Sequence, residues 1–330
     1  MKVFVAGATG AIGRQLVPRL VAAGHEVSGM TRSESKRALV HELGATSVVA
    51  DALDPDQVAE AIGRAKPDVI VHQLTALSGV ERYTERNAAP TNRLRTAATD
   101  YLLSAGRAVG VRRFVAQGVA GFGAYQRSGG PVKSEQDPLD AAPVREMRET
   151  LAAIRHLEQA VLEAEWTEGI VLRYGVFYGP GTSLAPGEEQ FELIRRHKFP
   201  LVGDGGGVWS FIHVADAAEA TVAAVEHGSR GVYNVVDDEP APVAEWLPAL
   251  AQTLGAKKPL RVPRFIGRLF AGEPGVVMMT EIRGASNAKA KRELGWCPAH
   301  PSWRQGFAAA AGGLTRPSSG EPGWRAEATA

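Results

Sequence analysis

A glycine cluster seven residues into the chain, GATGAIG at 7–13, limits what this sequence can fold into more than any other feature. Lys2–Val5 is a short β-branched and aromatic run that leads straight into Gly7, Gly10 and Gly13. Leu16, Val17, Leu20 and Val21 then fall at helical spacing, and His25–Met30 reads as a second strand. Glycines between a strand and a helix let the backbone pass close to a pyrophosphate, whose charge meets the free N–H groups of the helix N-terminus. Such spacing is weak alone. Between a strand and an amphipathic helix it points to a dinucleotide site, lined here by Gly7, Thr9, Gly10, Ala11, Ile12 and Gly13.

Which dinucleotide is decided about twenty residues later, where an acidic residue would take the ribose 2′-hydroxyl of NAD. Thr31, Arg32 and Ser33 stand there, with Lys36 and Arg37 one turn on. A cation with small hydroxyls suits a 2′-phosphate, so NADPH is the expected cofactor; a solvated basic turn is the plain alternative.

The wider composition excludes other classes. Lys plus Arg is 37 against 36 acids, so no global charge calls for nucleic acid or a membrane surface. A single cysteine, Cys297, excludes an internal disulfide and fits a reducing compartment. The chain opens on a folding strand, with no signal peptide and no apolar run of spanning length, so the cytoplasm is the expected location.

Along the chain, strands and helices alternate as in a parallel sheet covered on both faces, an α/β, Rossmann-type doubly wound fold. Strands are expected at Ser47–Ala50, Val69–His72, Arg113–Gln117 and Gly169–Arg173. Helices are expected at Asp56–Ala65, about Thr91 to Val109, and Met147–Ala164. Residues 118–146, rich in Gly, Pro and charge, are too long for a connector and read as a binding loop or an insertion. From about Gly312 the composition is that of a disordered tail.

At this point the chain resembles the extended short-chain dehydrogenase/reductase family, which includes sugar-nucleotide epimerases and dehydratases, over about residues 1–310. GATGAIG matches its GxxGxxG. Asp51, closing VVAD and followed by Ala52, matches the acid at the adenine amino group. HQLTA at 72–76 resembles the segment beside the adenine-side ribose, which implicates Leu74, Thr75 and Ala76. LRYGVFYGPG at 172–181 resembles the loop that lines the nicotinamide, which implicates Tyr174, Gly175 and Phe177, with Gln117 at the end of the fifth strand. WSFIHVADAAEA at 209–220, GVYNVVDDEP at 231–240 and NAKAKRELGWCPAHPSW at 287–303 match later landmarks. The resemblance implies an NADP-binding domain over 1–176, to which the chain returns near 213–236. It implies a smaller, mainly substrate-binding part over 177–311, with the tail at 312–330 beyond it.

The departures carry as much information. The family's chemistry uses a Ser or Thr after strand five and a Tyr-x-x-x-Lys on the next helix, the Tyr protonating the carbonyl oxygen. By the family's spacing these positions fall at Gly118 (or Val119), Thr150 and Ile154, and no Tyr-x-x-x-Lys occurs anywhere in the chain. The Arg that meets a sugar-nucleotide diphosphate before FIHV is replaced near Trp209, which favours a flat, apolar ligand.

Hydride transfer survives such losses, because it needs only NADPH held near an electrophilic carbon. The pattern resembles atypical ketoreductases of aromatic polyketide (angucyclinone-type) antibiotic pathways. The expected activity is therefore NADPH-dependent reduction of a ketone on a bulky aromatic substrate, with no metal. Tyr178 and Tyr125 are candidate proton donors, against a phenol on the substrate itself; His213 is expected to be structural. Phe122, Tyr125, Tyr178 and Trp209 are candidates for the substrate pocket. A non-catalytic NADP(H) sensor or scaffold, or a sugar-nucleotide enzyme with relocated groups and Arg195 or Arg196 on the diphosphate, are the alternatives. The long helices at 91–109 and 147–164 leave a monomer and a homodimer open.

Overall fold

The computed structural model describes residues 1–77 and 83–315, with side chains to residue 310. Its centre is a seven-stranded sheet of β1 (Lys2–Ala6), β2 (Glu26–Thr31), β3 (Thr46–Val49), β4 (Val69–His72), β5 (Arg113–Val119), β6 (Glu168–Tyr174) and β7 (Gly231–Val235). The spatial order is β7-β6-β5-β4-β1-β2-β3, and every neighbouring pair is parallel. Strands buried on both faces must be apolar throughout, which is why Val3–Ala6 and VIVH at 69–72 carry no alternation. The chain leaves β1 toward β2 on one side and returns as β4 on the other, with Ala6 paired to His72 at the carboxyl ends. That reversal opens the crevice where α/β sheets bind ligands.

Helices cover both faces. On one side α1 (Ala11–Ala22) and the later helix Val214–Glu226 bury Leu16, Val17, Leu20, Ala217 and Ala220 against the sheet. On the other, Pro55–Ala65, Thr99–Val109 and Arg148–Glu163 bury Val58, Ile62, Leu102, Leu157 and Val161. The return of the chain to the sheet is β7, which pairs with β6 over Gly231–Val235. A third core, built around Trp209, Phe211, Trp246, Trp303 and Phe307, belongs to the carboxyl-terminal part. Among the described residues no helix is long and apolar enough to cross a membrane.

Three expectations change. The helix expected from about Thr91 begins at Glu85, because Thr84 caps it by accepting from the Asn87 N–H at 3.1 Å, a signal that apolar periodicity does not carry. That helix widens into a π-turn over Leu94–Ala98 before continuing as Thr99–Val109. Residues 118–146, expected as a binding loop or an insertion, open with the end of β5 and are then fastened to the rest of the chain. Arg127 pairs with Asp140 and Glu281, and Lys133, 3% exposed, donates to the Ser128 carbonyl at 2.7 Å. Finally, the last helix, Trp303–Thr315, runs past residue 312, because buried Trp303 and Phe307 anchor its first turns. The rest of the expected tail, 316–330, lies outside the described residues.

Candidate active site

The crevice begins at the glycine cluster. Gly7 has φ +98°, a region that favours glycine, and a Cβ there would stand 2.8 Å from the Gln73 carbonyl oxygen. A Cβ on Gly13 would lie 2.3 Å from the Gly7 carbonyl oxygen, so α1 packs directly on the turn that precedes it. Gly10 is the N-cap of α1 and makes no side-chain cap, and the first turn holds no acid. The helix-start N–H groups at Ala11, Ile12 and Gly13 are thus left to an anion, a cradle that fits a dinucleotide diphosphate. Arg14 Nε donates to the Thr9 carbonyl at 3.0 Å and ties the turn to the helix.

Around this cradle lie the other residues expected at the cofactor. Thr31 is buried at the end of β2, and its Oγ1 accepts from the Ser33 N–H at 3.3 Å. Arg32 is exposed beside them, while the nearest acid, Glu34, is occupied by Arg37 at 2.7 Å. Asp51 turns its Oδ1 back to the Leu53 N–H at 2.9 Å, with Ala52 buried next to it. Beyond β4, the Leu74 N–H donates to His72 Nδ1 at 3.2 Å and the Ala76 N–H to Thr91 Oγ1 at 3.1 Å; Thr75 between them is exposed. Burial pulls His72 down to about 4, so the ring is neutral at pH 7. Gln117 is half-buried near the end of β5, and Gly175 has no room for a side chain, since a Cβ would meet the Ser210 carbonyl oxygen at 2.5 Å. Phe177 is half-buried against the Tyr174 ring, 5.4 Å between centroids.

Tyr174 requires a correction. Its ring turns into the core, and its hydroxyl is committed to Thr221 Oγ1 at 2.6 Å and Gln73 Nε2 at 3.1 Å. Burial pushes the phenol up to about 12.

The wall where the family keeps its catalytic groups is built differently. A Cβ at Gly118 would stand 2.8 Å from Val171 Cγ1 and 3.1 Å from Arg173 Cγ, so the space of a serine is already filled. Arg173 is held there by Glu158, with two bonds of 2.6 Å, both charges almost wholly buried. Ile154 sits with Ala124 and Leu151 in an apolar cluster. Thr150 alone keeps a polar atom at the wall, and it is in use: Thr150 Oγ1 donates to Asn92 Oδ1 at 3.1 Å and accepts a very short hydrogen bond from the Tyr83 hydroxyl. Tyr83 is the residue that the sequence did not reveal. It stands just before the Glu85–Arg93 helix, which packs on the Arg148–Glu163 helix, and its half-buried ring lies 5.6 Å from that of Phe122. Phe122, with φ +58°, is therefore the one substrate candidate placed beside the wall.

The other three substrate candidates are core residues. Trp209 is 4% exposed, stacks on Trp246 at 4.8 Å and donates its indole N–H to the Met278 carbonyl at 2.8 Å. Tyr125 donates to Asn234 Oδ1 at 2.6 Å and accepts from Arg173 Nη1 at 3.0 Å, and burial raises its phenol. Tyr178 packs between His213 and Phe307, and a Cβ on Gly306 would lie 2.1 Å from its ring. Burial drives its phenol far above the ordinary range. Neither tyrosine is placed to give a proton to a ligand in the crevice. Arg195 and Arg196, candidates for a diphosphate clamp, both serve Glu192. His213, expected to be structural, caps the Val214–Glu226 helix: its Nδ1 accepts from the Ala215 N–H at 3.3 Å, and its ring stacks on His300.

Asp237, near Tyr178, is almost fully buried, and burial raises its carboxyl to about 8. The native state then holds a proton that the unfolded chain loses above its usual carboxylate range, so this group makes stability fall as pH rises from about 4 to about 8. In Asp237→Asn that slope should flatten, leaving the variant relatively more stable at the upper end. Urea unfolding of both chains at the two ends of this window measures it; parallel pH profiles would contradict the assignment.

Residues 3–236 match the NAD dependent epimerase/dehydratase family. The chain is 45% identical over 308 residues, 93% of its length and 99% of the relative's, to a Streptomyces protein named 3-diazoavenalumate denitrifying reductase. It is 30% identical over 263 residues, 78% of its length and 74% of the relative's, to a Stigmatella aurantiaca protein named 4-hydroxy-2-methyl-3-oxo-4-farnesyl-3,4-dihydroquinoline-1-oxide ketoreductase. Among solved structures, the human epimerase family protein SDR39U1 with NADPH has TM-score 0.74 at 22% identity, covering 94% of this chain and 99% of that one. UDP-glucose 4-epimerase from Thermotoga maritima has TM-score 0.75 at 21% identity, covering 95% and 98%. With the glycine cradle, the parallel sheet and the named reductases in agreement, the chain belongs to the NAD dependent epimerase/dehydratase family, as an NAD(P)-dependent enzyme of the oxidoreductase type on the extended short-chain dehydrogenase/reductase fold.

Proposed function

We propose that this protein is an NADPH-dependent reductase of an electrophilic aromatic substrate, and that the electrophile is an aryl diazo group that is lost as dinitrogen. One observation carries the choice: the positions Gly118, Thr150 and Ile154 supply no Tyr-Lys acid, with Gly118 sterically filled and Ile154 inside an apolar cluster. When bound, the nicotinamide supplies one hydride: an aryl diazonium cation and NADPH give the arene, dinitrogen and NADP+, the C–N bond breaking as the C–H bond forms. Reduction of a ketone leaves an oxyanion that must be protonated; this reaction leaves none, so the triad has no task. The 45% likeness to a protein named a denitrifying reductase supports the same chemistry. The protein's part is to hold the reactants together and keep water from a reactive cation.

The expected ketone reduction stands as a second reading. It draws on the Tyr83 hydroxyl beside Thr150, a proton source the sequence did not reveal, and on the relative named a ketoreductase. Nothing ties an angucyclinone to this crevice. To separate the readings, the protein is given NADPH with a hydroxy-substituted arenediazonium and, separately, an aromatic ketone. Dinitrogen release, with deuterium from 4-deuterated NADPH on the ring carbon, is the expected result. An intact diazonium beside a reduced ketone would overturn the first reading and establish the second.

Selection of NADPH rests on Arg32. Its guanidinium is exposed between Thr31 and Ser33, and the neighbouring acid is spent on Arg37. A charge-assisted contact to the 2′-phosphate contributes roughly 1.5–3 kcal/mol, so Arg32→Ala should weaken NADPH about tenfold or more and leave NADH unchanged. Fluorescence titration of both cofactors checks it; equal losses for the two would refute the role.

A further inference from the structure

We infer that Tyr83 and Arg95 together form a site for an anionic oxygen carried by the substrate ring, next to the carbon that receives the hydride; this rests on the reductase reading above. Three placements lead to it. Tyr83 delivers a hydroxyl to the family's vacated position at Thr150 from a part of the chain 67 residues away, and Asn92 closes the chain of hydrogen bonds behind it. Arg95 lies three residues after Asn92, on the same helix face, where the helix opens into the π-turn 94–98. Hydroxyls of Thr96 and Thr99 take up carbonyls of that turn, bonding Asn92 O at 3.0 Å and Arg95 O at 2.8 Å. The widened turn is thus held by its own side chains.

Third, among the described residues the charge of Arg95 lacks an acidic counterpart. Arg127 and Arg173 each have a carboxylate at hydrogen-bond distance, whereas no carboxylate pairs with half-buried Arg95 among the described residues. Burial pulls its guanidinium down to about 10, and its charge acts on the Tyr83 phenol. A desolvated cation beside a phenol is the arrangement that binds an oxyanion. A cavity of about 460 Å³ opens at Tyr83, with Arg86 and Arg145 in its lining against Glu85 and Glu146, and gives a ring a way in.

The chemistry gives this site a purpose. An oxygen ortho or para to a diazo group feeds electrons into the ring and quenches the diazonium carbon. When the ring binds, Tyr83 turns its one hydroxyl proton from Thr150 Oγ1 to that oxygen and, with Arg95, holds those electrons on the oxygen and keeps the carbon electrophilic. A ketone oxygen bound at the same pair would be stabilised as its alkoxide, so the two substrate classes share the anionic oxygen and differ in the reacting carbon.

Tyr83→Phe in the full chain tests the assignment, because the ring and its contact with Phe122 are kept. The first readout is binding of 4-nitrophenol, an unreactive coloured phenol, in the presence of NADP+. The native protein should bind it as the phenolate, with its ionisation constant raised about tenfold, and Tyr83→Phe and Arg95→Met should each remove that rise. The second readout is turnover. Tyr83→Phe should lower kcat/KM for a hydroxy-arenediazonium by about 100-fold and leave the O-methylated arenediazonium unchanged. A native protein that does not favour the phenolate, or a Tyr83→Phe protein equal to it in both readouts, would overturn the inference. If the phenolate effect depends on Tyr83 while no diazonium is consumed, the oxygen site stands and the denitrifying reading falls.

Discussion

Replacing Glu158 with alanine should lower the free energy of unfolding by about 3–5 kcal/mol, the cost of leaving a buried charge without its partner. Arg173 reaches Glu158 through two bonds of 2.6 Å, and the two side chains are 6% and 8% exposed. A third N–H, on Nη1, goes to the Tyr125 hydroxyl at 3.0 Å, and Tyr125 goes on to Asn234. Without Glu158 the guanidinium keeps a neutral phenol and little else, inside the layer between β6 and the Arg148–Glu163 helix. Urea unfolding measures the loss. The double variant Glu158→Leu with Arg173→Met should recover much of it, because the penalty lies in the orphaned charge more than in the lost pair. A Glu158→Ala protein within about 1 kcal/mol of the native one would show that water reaches Arg173.

Gly13→Ala is the second large effect. Its Cβ would overlap the Gly7 carbonyl oxygen at 2.3 Å and the Ala8 carbonyl oxygen at 2.5 Å, both backbone atoms of a turn whose Gly7 is already held at φ +98°. No side chain can rotate away to make room. Either α1 slides off the turn or the turn flattens, and the helix N-terminus then no longer faces the cradle. Two charge-assisted N–H hydrogen bonds to the diphosphate, at roughly 1.5 kcal/mol each, would go with it, which corresponds to about a 100-fold weaker cofactor. Titration with NADPH reads this directly, and NADH should suffer equally because the diphosphate is common to both. A variant that folds and binds NADPH as the native protein does would show that the glycine turn yields more readily than its close packing indicates.

The sheet and its cofactor edge were legible because they rest on local rules. Strands buried on both faces must be unbroken apolar runs, and a strand, three spaced glycines and an amphipathic helix have few alternatives. The expected strands at Val69–His72 and Gly169–Arg173 therefore lie within a residue or so of those observed. The substrate side was not legible in this way. Tyr125 and Tyr178 by their loops, and Trp209 by the Arg it replaces, suggest pocket residues, yet a large aromatic ring serves a core as well as a ligand. Which it serves depends on what stands opposite: Arg173 and Asn234, Phe307, and Trp246.

Tyr83 makes the same point in reverse. Nothing around ERYTERN marks it out, and its partner Thr150 is distant in sequence. By itself the sequence determined the parallel sheet, the glycine cradle, the basic turn at Arg32 and the loss of the Tyr-x-x-x-Lys pair, since each is a matter of residue type and short spacing. Only the tertiary structure decided what fills the vacated wall: Arg173 and Glu158 behind Gly118, an apolar cluster at Ile154, and a tyrosine brought to Thr150 from 67 residues away. The physical reason is that burial and hydrogen bonding between distant segments are properties of packing, which short-range patterns do not encode.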